Sequence, residues 1–398
     1  MTKAVWAATV LLCVVLPAQS QRGNQSAQRQ EAKAPPEEGI PVTDPLVISK
    51  CGGCHTRDAK GNMLRISWER ATPEGWEEAI KRMVRLNGLT LTPAEARSVV
   101  KYLATYHGLA PEEAKPVMYF AEHRIQDETN IPDDSVRGAC ANCHAFARPL
   151  SWRRSADDWK LLSNLHVAFY ATAEQAFRRG LSAGGGGNAP MVAGRENATP
   201  KLPVDDALAF LDKAAPLHTP EWAAWSARMH APRLAGRWLV SAHITGKGMY
   251  YGELTIAPGA AADEFTTNVK LQSVKDGSPL VRSGQGIVYA GYSWRGRSKG
   301  SGNAGTVDDL NKDAREVMWF SPDESQAEGR WFWGQYQEFG MDVRLRRASA
   351  DPTLIGVDRT ALKTGSQGNR VRLIGQSFSA QLAASDLDFG SGVKVQRI

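Results

Sequence analysis

Several features that mark large protein classes are scarce or absent in this sequence of 398 residues. It has only five cysteines, and four of them fall in two C-x-x-C pairs, which leaves none for a framework of disulfides. The net charge is +6, but the lysines and arginines are scattered rather than clustered, which argues against nucleic-acid binding. After the first twenty residues, no stretch is long and apolar enough to span a bilayer. The length predicts two or three domains.

The N-terminal residues have the pattern of a secretory signal peptide. Lys3 precedes an apolar run at residues 6–16, and small residues of the kind found at cleavage sites follow it. The run is too short for a membrane span, and the fifth cysteine, Cys13, lies within it. We predict a signal peptide at residues 1–20 and a disordered leader, rich in Gln, Ala, Pro and Glu, at residues 21–40.

One short motif occurs twice and determines the predicted chemistry. The two copies are Cys51-Gly-Gly-Cys54-His55 and Cys140-Ala-Asn-Cys143-His144. C-x-x-C-H is the attachment signature of c-type haem: the two thiols form thioethers to one porphyrin, and the histidine binds its iron. A redox dithiol or half of a zinc site would also use C-x-x-C, but a histidine directly after both pairs favours haem. Because c-type haem is attached after export, the motif and the signal peptide together predict a periplasmic protein.

A second, weaker repeat follows the two motifs. Its copies are Ile66-Ser67-Trp68-Glu69-Arg70 after the first motif and Leu150-Ser151-Trp152-Arg153-Arg154 after the second. Each copy continues with a tryptophan and, seven residues later, with a methionine or a histidine: Trp76 with Met83, and Trp159 with His166. Seven residues are close to two helical turns, so each pair is expected on one face of a helix.

The position that differs between the two copies predicts the second axial ligand of each iron, because methionine and histidine are commonly used there. The predicted axial pairs are His55 with Met83 for haem I, and His144 with His166 for haem II. A thioether ligand favours Fe(II), so we predict the higher potential for haem I and electron flow from haem II to haem I. Competing side chains either have no counterpart in the other copy or lie outside the repeat: Met63, Met191, His107, His123, His218, His230 and His243.

The chain changes character after the haem motifs. Residues 41–232 have the apolar spacing and capping residues of helices, as in the helix start Thr92-Pro93-Ala94-Glu95. Residues 233–350 contain short segments of alternating polarity between Gly-rich turns, which predicts a β-barrel-like domain.

The last residues, 351–398, resemble the opening strands of an immunoglobulin-like sandwich, with strands expected at 371–375 and 387–395. They are too few for a complete sandwich, so an incomplete domain is expected. The predicted fold class is multidomain α plus all-β. A helical dihaem cytochrome c domain is followed by an antiparallel β-barrel-like domain and the start of an immunoglobulin-like sandwich.

Taken together, these segments resemble the alpha subunit of quinohaemoprotein amine dehydrogenase. The segments that carry the resemblance are Cys51-Gly-Gly-Cys54-His55-Thr56 to Met83, Leu91-Thr92-Pro93-Ala94-Glu95-Ala96, Cys140 to His166, Pro220-Glu221-Trp222-Ala223-Ala224-Trp225 and Gly236-Arg237-Trp238. The haem motifs alone are generic to cytochromes c. The order of dihaem unit, barrel-like domain and immunoglobulin-like start makes the resemblance specific.

The resemblance implies a dihaem electron-transfer subunit in a three-subunit periplasmic enzyme that oxidises primary amines. In that family a cysteine tryptophylquinone lies on a gamma subunit, and a beta subunit forms a propeller. No substrate-oxidising residue is then expected on this chain, and a soluble cytochrome or blue copper protein would accept its electrons. The family continues through immunoglobulin-like domains, whereas this sequence ends early in the first.

Three other functions use the same motifs. A free-standing dihaem cytochrome would shuttle electrons without a partner quinoprotein. A dihaem peroxidase needs an open sixth position on one iron, and the repeat supplies a candidate ligand to both. A haem sensor or structural module would use the aromatic residues of the β region as an interface, although core packing explains those residues more simply.

Overall fold

The computed structural model describes residues 37–117, 131, 134–179, 202–359 and 361–398. The predicted signal peptide, most of the predicted leader, and the candidate ligands His123 and Met191 lie outside these residues. The packed chain begins slightly before residue 41, because Gly39 is buried and the backbone N–H of Ile40 donates to the Ser67 carbonyl (2.8 Å).

The part of the chain that precedes the barrel is helical, as the sequence predicts. Its α-helices within the described residues are α1 (Pro45–Cys51), α2 (Pro73–Asn87), α3 (Pro93–Tyr106), α4 (Pro111–Ala114), α5 (Asp134–Cys140), α6 (Ala147–Leu150), α7 (Ala156–Phe169), α8 (Ala173–Arg179), α9 (Pro203–Ala214) and α10 (Pro220–Arg228). A 3₁₀ turn at Ile66–Trp68 and two short strands, β1 (Glu69–Ala71) and β2 (Trp152–Arg154), lie between them. No helix in the described ranges is long and apolar enough to cross a membrane.

Local side-chain hydrogen bonds start five of these helices. In each, the residue before the helix has a side-chain oxygen that accepts a hydrogen bond from the backbone N–H three residues later. These N-caps are Asp44, Thr72, Thr92, Ser155 and Thr219. Such a cap satisfies a backbone donor that the helix itself leaves unpaired, so the short helices begin at defined residues.

The two copies of the repeat pair with each other. Strands β1 and β2 are antiparallel, and the central pair of their register is Arg70 with Arg153. These two arginines lie 83 residues apart, the offset between the caps Thr72 and Ser155, whereas the repeat counted from Ile66 and Leu150 aligns Arg70 with Arg154. The antiparallel pairing places a local twofold axis between Arg70 and Arg153. We refer to α1, β1, α2 and α3 as unit I, and to α5, β2, α7 and α9 as unit II.

In each unit, a tryptophan joins the helix that carries the predicted axial ligand to the end of the last helix. In unit I, the Trp76 indole N–H and the Ala71 backbone N–H both donate to the His107 carbonyl, at 2.8 and 2.9 Å. In unit II, Trp159 and the backbone of Arg154 donate in the same way to the Ala215 carbonyl, each at 3.2 Å. The last helices, α3 and α9, are thus equivalent elements of the two units.

A single carboxylate joins the two units at their axis. Glu113 of α4 accepts hydrogen bonds from both central arginines: Arg70 at 2.8 and 3.0 Å, and Arg153 at 3.1 Å. Burial alone would raise the pKa of Glu113, but its hydrogen bonds and ion pairs with Arg70, together with the charge of Arg153, lower it to about 2. The carboxylate is therefore ionised and holds two buried guanidinium groups together.

The second region is a closed antiparallel barrel of eight strands, in agreement with the predicted fold class. The strands are β3 (Gly236–Ile244), β4 (Gly248–Pro258), β5 (Glu264–Ser273), β6 (Pro279–Tyr289), β7 (Ser293–Gly300), β8 (Ala314–Phe320), β9 (Gln326–Trp333) and β10 (Phe339–Arg347). Neighbouring strands in sequence are neighbours in the barrel, and β10 closes onto β3. Large side chains such as Trp238, Trp294 and Phe320 fill the interior, so the barrel has a packed core.

The outer face of the barrel supports the helical region. Trp319 of β8 donates from its indole to the Pro111 carbonyl (3.0 Å), and Tyr292 donates from its hydroxyl to the Leu109 carbonyl (2.9 Å). Both carbonyls belong to the segment that leads into α4, which carries Glu113. The barrel therefore fixes the carboxylate that joins the two units.

After the barrel, two short strands, β11 (Thr353–Val357) and β12 (Leu373–Gln376), form a separate antiparallel pair. The strand at β12 agrees with the one expected at 371–375. The strand expected at 387–395 is wrong, because those residues form none. Gly390 and Gly392 there have positive φ values of 83° and 96°, a conformation that does not continue a strand, and no strand in the described residues pairs with them.

Candidate haem sites

In unit I, the motif occupies the turn that ends α1. The helix ends at Cys51, and the backbone N–H groups of Cys54 and His55 donate back to the Cys51 carbonyl at 3.2 and 2.9 Å. The imidazole of His55 donates from Nδ1 to the Leu64 carbonyl (2.8 Å). That hydrogen bond fixes the tautomer and leaves Nε2 with its lone pair for a metal.

Unit II repeats this arrangement. Helix α5 ends at Cys140, and His144 donates from Nδ1 to the Ala145 carbonyl (3.1 Å). His166, on α7, donates from Nδ1 to the Leu162 carbonyl one turn earlier (2.9 Å). Both histidines therefore present Nε2 as the available nitrogen, which is what two axial ligands of one iron require.

Burial lowers the pKa of both histidines of unit II. Burial is the main cause of a lowered pKa at His144, and the nearby charges of Arg148 and His166 lower it further. Burial also lowers the pKa of His166, and Arg154, Arg82 and Arg148 add to that effect. Both imidazoles are therefore neutral at neutral pH, the form that binds a metal.

The first cysteine of each motif lacks the lowered pKa of a redox-active thiol. Burial raises the pKa of Cys51, with a smaller contribution from Cys54, and burial raises the pKa of Cys140 to about 12. Reactive C-x-x-C thiols need a lowered pKa, so this environment disfavours disulfide exchange. Among the described residues, no three His, Cys, Asp or Glu side chains converge as a zinc site requires.

Two methionines of unit I differ in burial. Met63 is fully buried in the core that contains Cys51, and it precedes Leu64, the residue whose carbonyl binds Nδ1 of His55. Met83 lies on α2, half-buried, with its sulfur 3.7 Å from Nδ2 of Asn87. The structure therefore groups Met63 with Cys51 in the core and leaves Met83 partly exposed on α2.

The remaining histidines serve other roles in the described structure. His107 is fully buried at the end of α3, and burial lowers its pKa to about 4. His218 and His230 bond to the backbone carbonyls of Glu38 and Ala231 (2.5 and 2.9 Å), and His243 is exposed on the barrel. None of the four occupies a position equivalent to Met83 or His166.

Apolar side chains surround both sites and suit a porphyrin. Next to the unit I ligands, Leu64, Val84 and Leu86 are 52%, 43% and 58% exposed. Next to His166, Phe169 and Tyr170 are more than half exposed, although the core of each unit is close by. A large apolar ring would cover such side chains, so the residues present fit haem in both units. Sequence reasoning missed the carbonyls of Leu64, Ala145 and Leu162, because backbone acceptors leave no mark in a sequence.

Comparisons with solved structures concern the barrel. A designed fluorescence-activating β-barrel is 20% identical over 29% of this chain and 93% of its own, with a TM-score of 0.23. A redesigned β-barrel is 13% identical over 29% of this chain and 92% of its own, with the same TM-score. A search of curated proteins gives no match.

Two family models match most of the described chain. One is described as "Quinohemoprotein amine dehydrogenase A, alpha subunit, haem binding" and matches residues 42–181. The other is described as "Quinohemoprotein amine dehydrogenase, alpha subunit domain II" and matches residues 231–348. The first match contains both C-x-x-C-H motifs, and the second coincides with the barrel.

Proposed function

Because the chain belongs to the family of quinohaemoprotein amine dehydrogenase alpha subunits and binds haem, we propose that it is the periplasmic electron-transfer subunit of such an enzyme. It carries two c-type haems and takes electrons from a cysteine tryptophylquinone on a gamma subunit. A beta subunit with a propeller fold completes the enzyme, and a soluble cytochrome or blue copper protein accepts the electrons. The observation that carries the proposal is the C-x-x-C-H motif, which occurs once in each of two units with the same backbone arrangement.

When bound, each iron supplies one-electron chemistry by alternating between Fe(II) and Fe(III). The residues of this chain attach, orient and enclose the group. The thioethers would form at Cys51, Cys54, Cys140 and Cys143. His55 and His144 would bind iron through Nε2, because the carbonyl on each Nδ1 fixes the direction of the ring.

The sixth ligands in this proposal are Met83 and His166, which occupy the same turn of equivalent helices. Each lies eleven residues after its N-cap, Thr72 or Ser155. The Met83 thioether would favour the ferrous state, and His166 would complete a bis-histidine pair with His144. Haem I would then have the higher potential. No residue of this chain acts on the amine itself.

The proposal is tested on protein purified from its native periplasm with its partner subunits attached. We expect a primary amine to increase the absorbance of the reduced haem α-band, whereas the alcohol with the same carbon skeleton has no effect. The isolated chain, without partners, should not respond to the amine. If the complete preparation is reduced by dithionite but not by any primary amine tried, the amine dehydrogenase assignment fails and a free-standing cytochrome remains.

A further inference from the structure

An ion pair connects the ligand-bearing helix of unit I to the haem motif of unit II. Glu78 of α2 pairs with Arg148 of α6, four residues after His144. One turn further along the same face of α2 lies Arg82. Unit I therefore extends a helix face with a carboxylate and a guanidinium toward the histidines of unit II.

Both arginines act on the histidines of unit II. The positive charge of Arg148 lowers the pKa of both His144 and His166, and that of Arg82 lowers the pKa of His166. In each case the charge adds to the lowering caused by burial. Nε of Arg82 is buried and has no hydrogen-bond partner in the part of the chain that the structure describes. A third cation near His166, Arg154, is paired with two carboxylates, Glu69 (2.8 Å) and Asp158, whereas Arg148 contacts Glu78 through one nitrogen, Nη2.

Unit I has no equivalent pair of cations. At the offset of 83 residues, the counterparts of Glu78 and Arg82 on α7 are Leu161 and Leu165. Counted from the motif histidines, the counterpart of Arg148 is Ala59, four residues after His55. The repeat therefore gives neither Arg82 nor Arg148 a guanidinium counterpart.

We propose that Arg82 and Arg148 form a binding site for the propionate carboxylates of the haem held by His144 and His166. The inference rests on the proposed function, since it takes that haem to be bound there. Guanidinium groups bind carboxylates through charge-assisted, often bidentate hydrogen bonds. Positive charge next to the haem also stabilises Fe(II) relative to Fe(III). The site therefore raises the potential of haem II and narrows its difference from haem I.

The test is a spectroelectrochemical titration of the haem-loaded full chain that follows the two haems separately. Arg82→Leu gives α2 the side chain found at the equivalent position of α7. We expect it to shift the reduction equilibrium of haem II about tenfold toward Fe(III), or 59 mV for a one-electron couple. Haem I should move by less than half as much. Arg148→Gln should act in the same direction.

Two further variants separate a specific site from a general loss of charge. Glu78→Gln removes a negative charge beside Arg148 and should shift haem II in the opposite direction, toward Fe(II). Lys81→Ala removes the same charge as Arg82→Leu from the adjacent residue, but Lys81 is half exposed and paired with Glu77 (2.5 Å), so a change of less than twofold is expected.

The outcomes distinguish this inference from the function on which it rests. If haem II of the unaltered protein has a bis-histidine spectrum, and Arg82→Leu moves it no more than Lys81→Ala does, the propionate site is wrong and the haem assignment stands. Equal shifts of both haems in Arg82→Leu would also overturn it. If the unaltered protein lacks a bis-histidine haem, the haem II assignment fails and this inference fails with it.

Discussion

Unit I and unit II have the same backbone arrangement but different predicted axial ligands. In each unit, the haem motif lies at the end of the first helix and is followed by a short strand. The next helix has an N-cap and a tryptophan in its first turn. The indole N–H of that tryptophan donates a hydrogen bond to the carbonyl at the end of the last helix. The caps Thr72 and Ser155 and the tryptophans Trp76 and Trp159 fill equivalent positions. The features that the two units share, the N-cap and the tryptophan hydrogen bond, hold this helix in place.

The two helices share few residues besides the tryptophans, and two of their differences bear on the irons. Met83 in unit I corresponds to His166 in unit II, and Arg82 corresponds to Leu165. The methionine would raise the potential of haem I above that of haem II, and the charge of Arg82 would reduce that difference by raising the potential of haem II. A duplicated scaffold can in this way acquire a direction for electron flow without a change of fold.

The largest expected effect is the loss of one haem without loss of the other. Replacement of Cys140 and Cys143 by alanine should reduce the covalent haem from two per chain to one, because each pair of thiols attaches its own porphyrin. Cys51→Ala with Cys54→Ala should do the same for the other haem. The pyridine haemochrome assay, with haem staining of denatured protein, measures this. Loss of both haems in either variant would show that the units do not load independently.

The next effect is on the haem potentials when one unit is given the ligand of the other. Met83→His should lower the potential of haem I by at least one tenfold step in its reduction equilibrium, 59 mV, toward that of haem II. A redox titration followed in the visible region measures the shift. Met63→Leu is the matched control and should leave both potentials unchanged. If Met63→Leu shifts the potential of haem I and Met83→His does not, Met63 rather than Met83 is the ligand of haem I.

The third effect concerns the axis between the units, where Glu113 joins Arg70 and Arg153. Glu113→Gln leaves two buried guanidinium groups without their carboxylate and should lower the free energy of unfolding by about 3–5 kcal/mol. Urea denaturation of the haem-loaded chain measures it. Glu77→Gln, which breaks the exposed pair with Lys81, should cost less than about 1 kcal/mol. Equal losses in the two variants would contradict the role of the axis.

The pKa of Glu113 adds a pH dependence to this contribution. The folded pKa of about 2 lies below the ordinary value of 4.5, so the carboxylate stabilises the fold fully above about pH 4.5. The contribution is lost as the pH falls toward 2. The difference in unfolding free energy between the unaltered protein and Glu113→Gln should therefore shrink between pH 4.5 and 2; a constant difference would be inconsistent with the lowered pKa.

The smallest effect compares the starts of the last helices. Helix α3 has a complete capping box, in which Thr92 accepts from the Glu95 N–H (3.2 Å) and Glu95 accepts from the Thr92 N–H (2.8 Å). The residue before helix α9 is Leu202, which has no side-chain acceptor. Thr92→Ala should cost about 1 kcal/mol, and Leu202→Thr should gain up to about the same amount. Thermal unfolding monitored by circular dichroism would detect both; an unchanged midpoint in Leu202→Thr would contradict the comparison.

The features that could be predicted from the sequence are marked by residues that lie close together in the chain. The motif spacing, the seven-residue interval from Trp76 to Met83 and the box at Thr92 each lie within a few residues, and the alternating strands of the barrel are similarly local. The family matches support haem binding and the barrel. The axial ligands Met83 and His166 stay predictions.

The parts that escaped prediction depend on long-range contacts. Glu113 meets an arginine 43 residues earlier and another 40 residues later, and no local pattern marks such a pairing. The pairing of the two repeat copies across an axis also follows from packing. The expectation of a strand at 387–395 failed for the related reason that alternating residues form a strand only beside a partner.

The most direct test of the central comparison is near-infrared magnetic circular dichroism of the fully oxidised, haem-loaded protein. We expect two low-spin ferric haems in equal amounts, one with the signal of a histidine–methionine pair and one with that of a bis-histidine pair. The first signal should disappear in Met83→His and the second in His166→Met. Two identical signals in the unaltered protein, or a single haem per chain, would contradict the proposal that the two units hold their haems with different axial ligands.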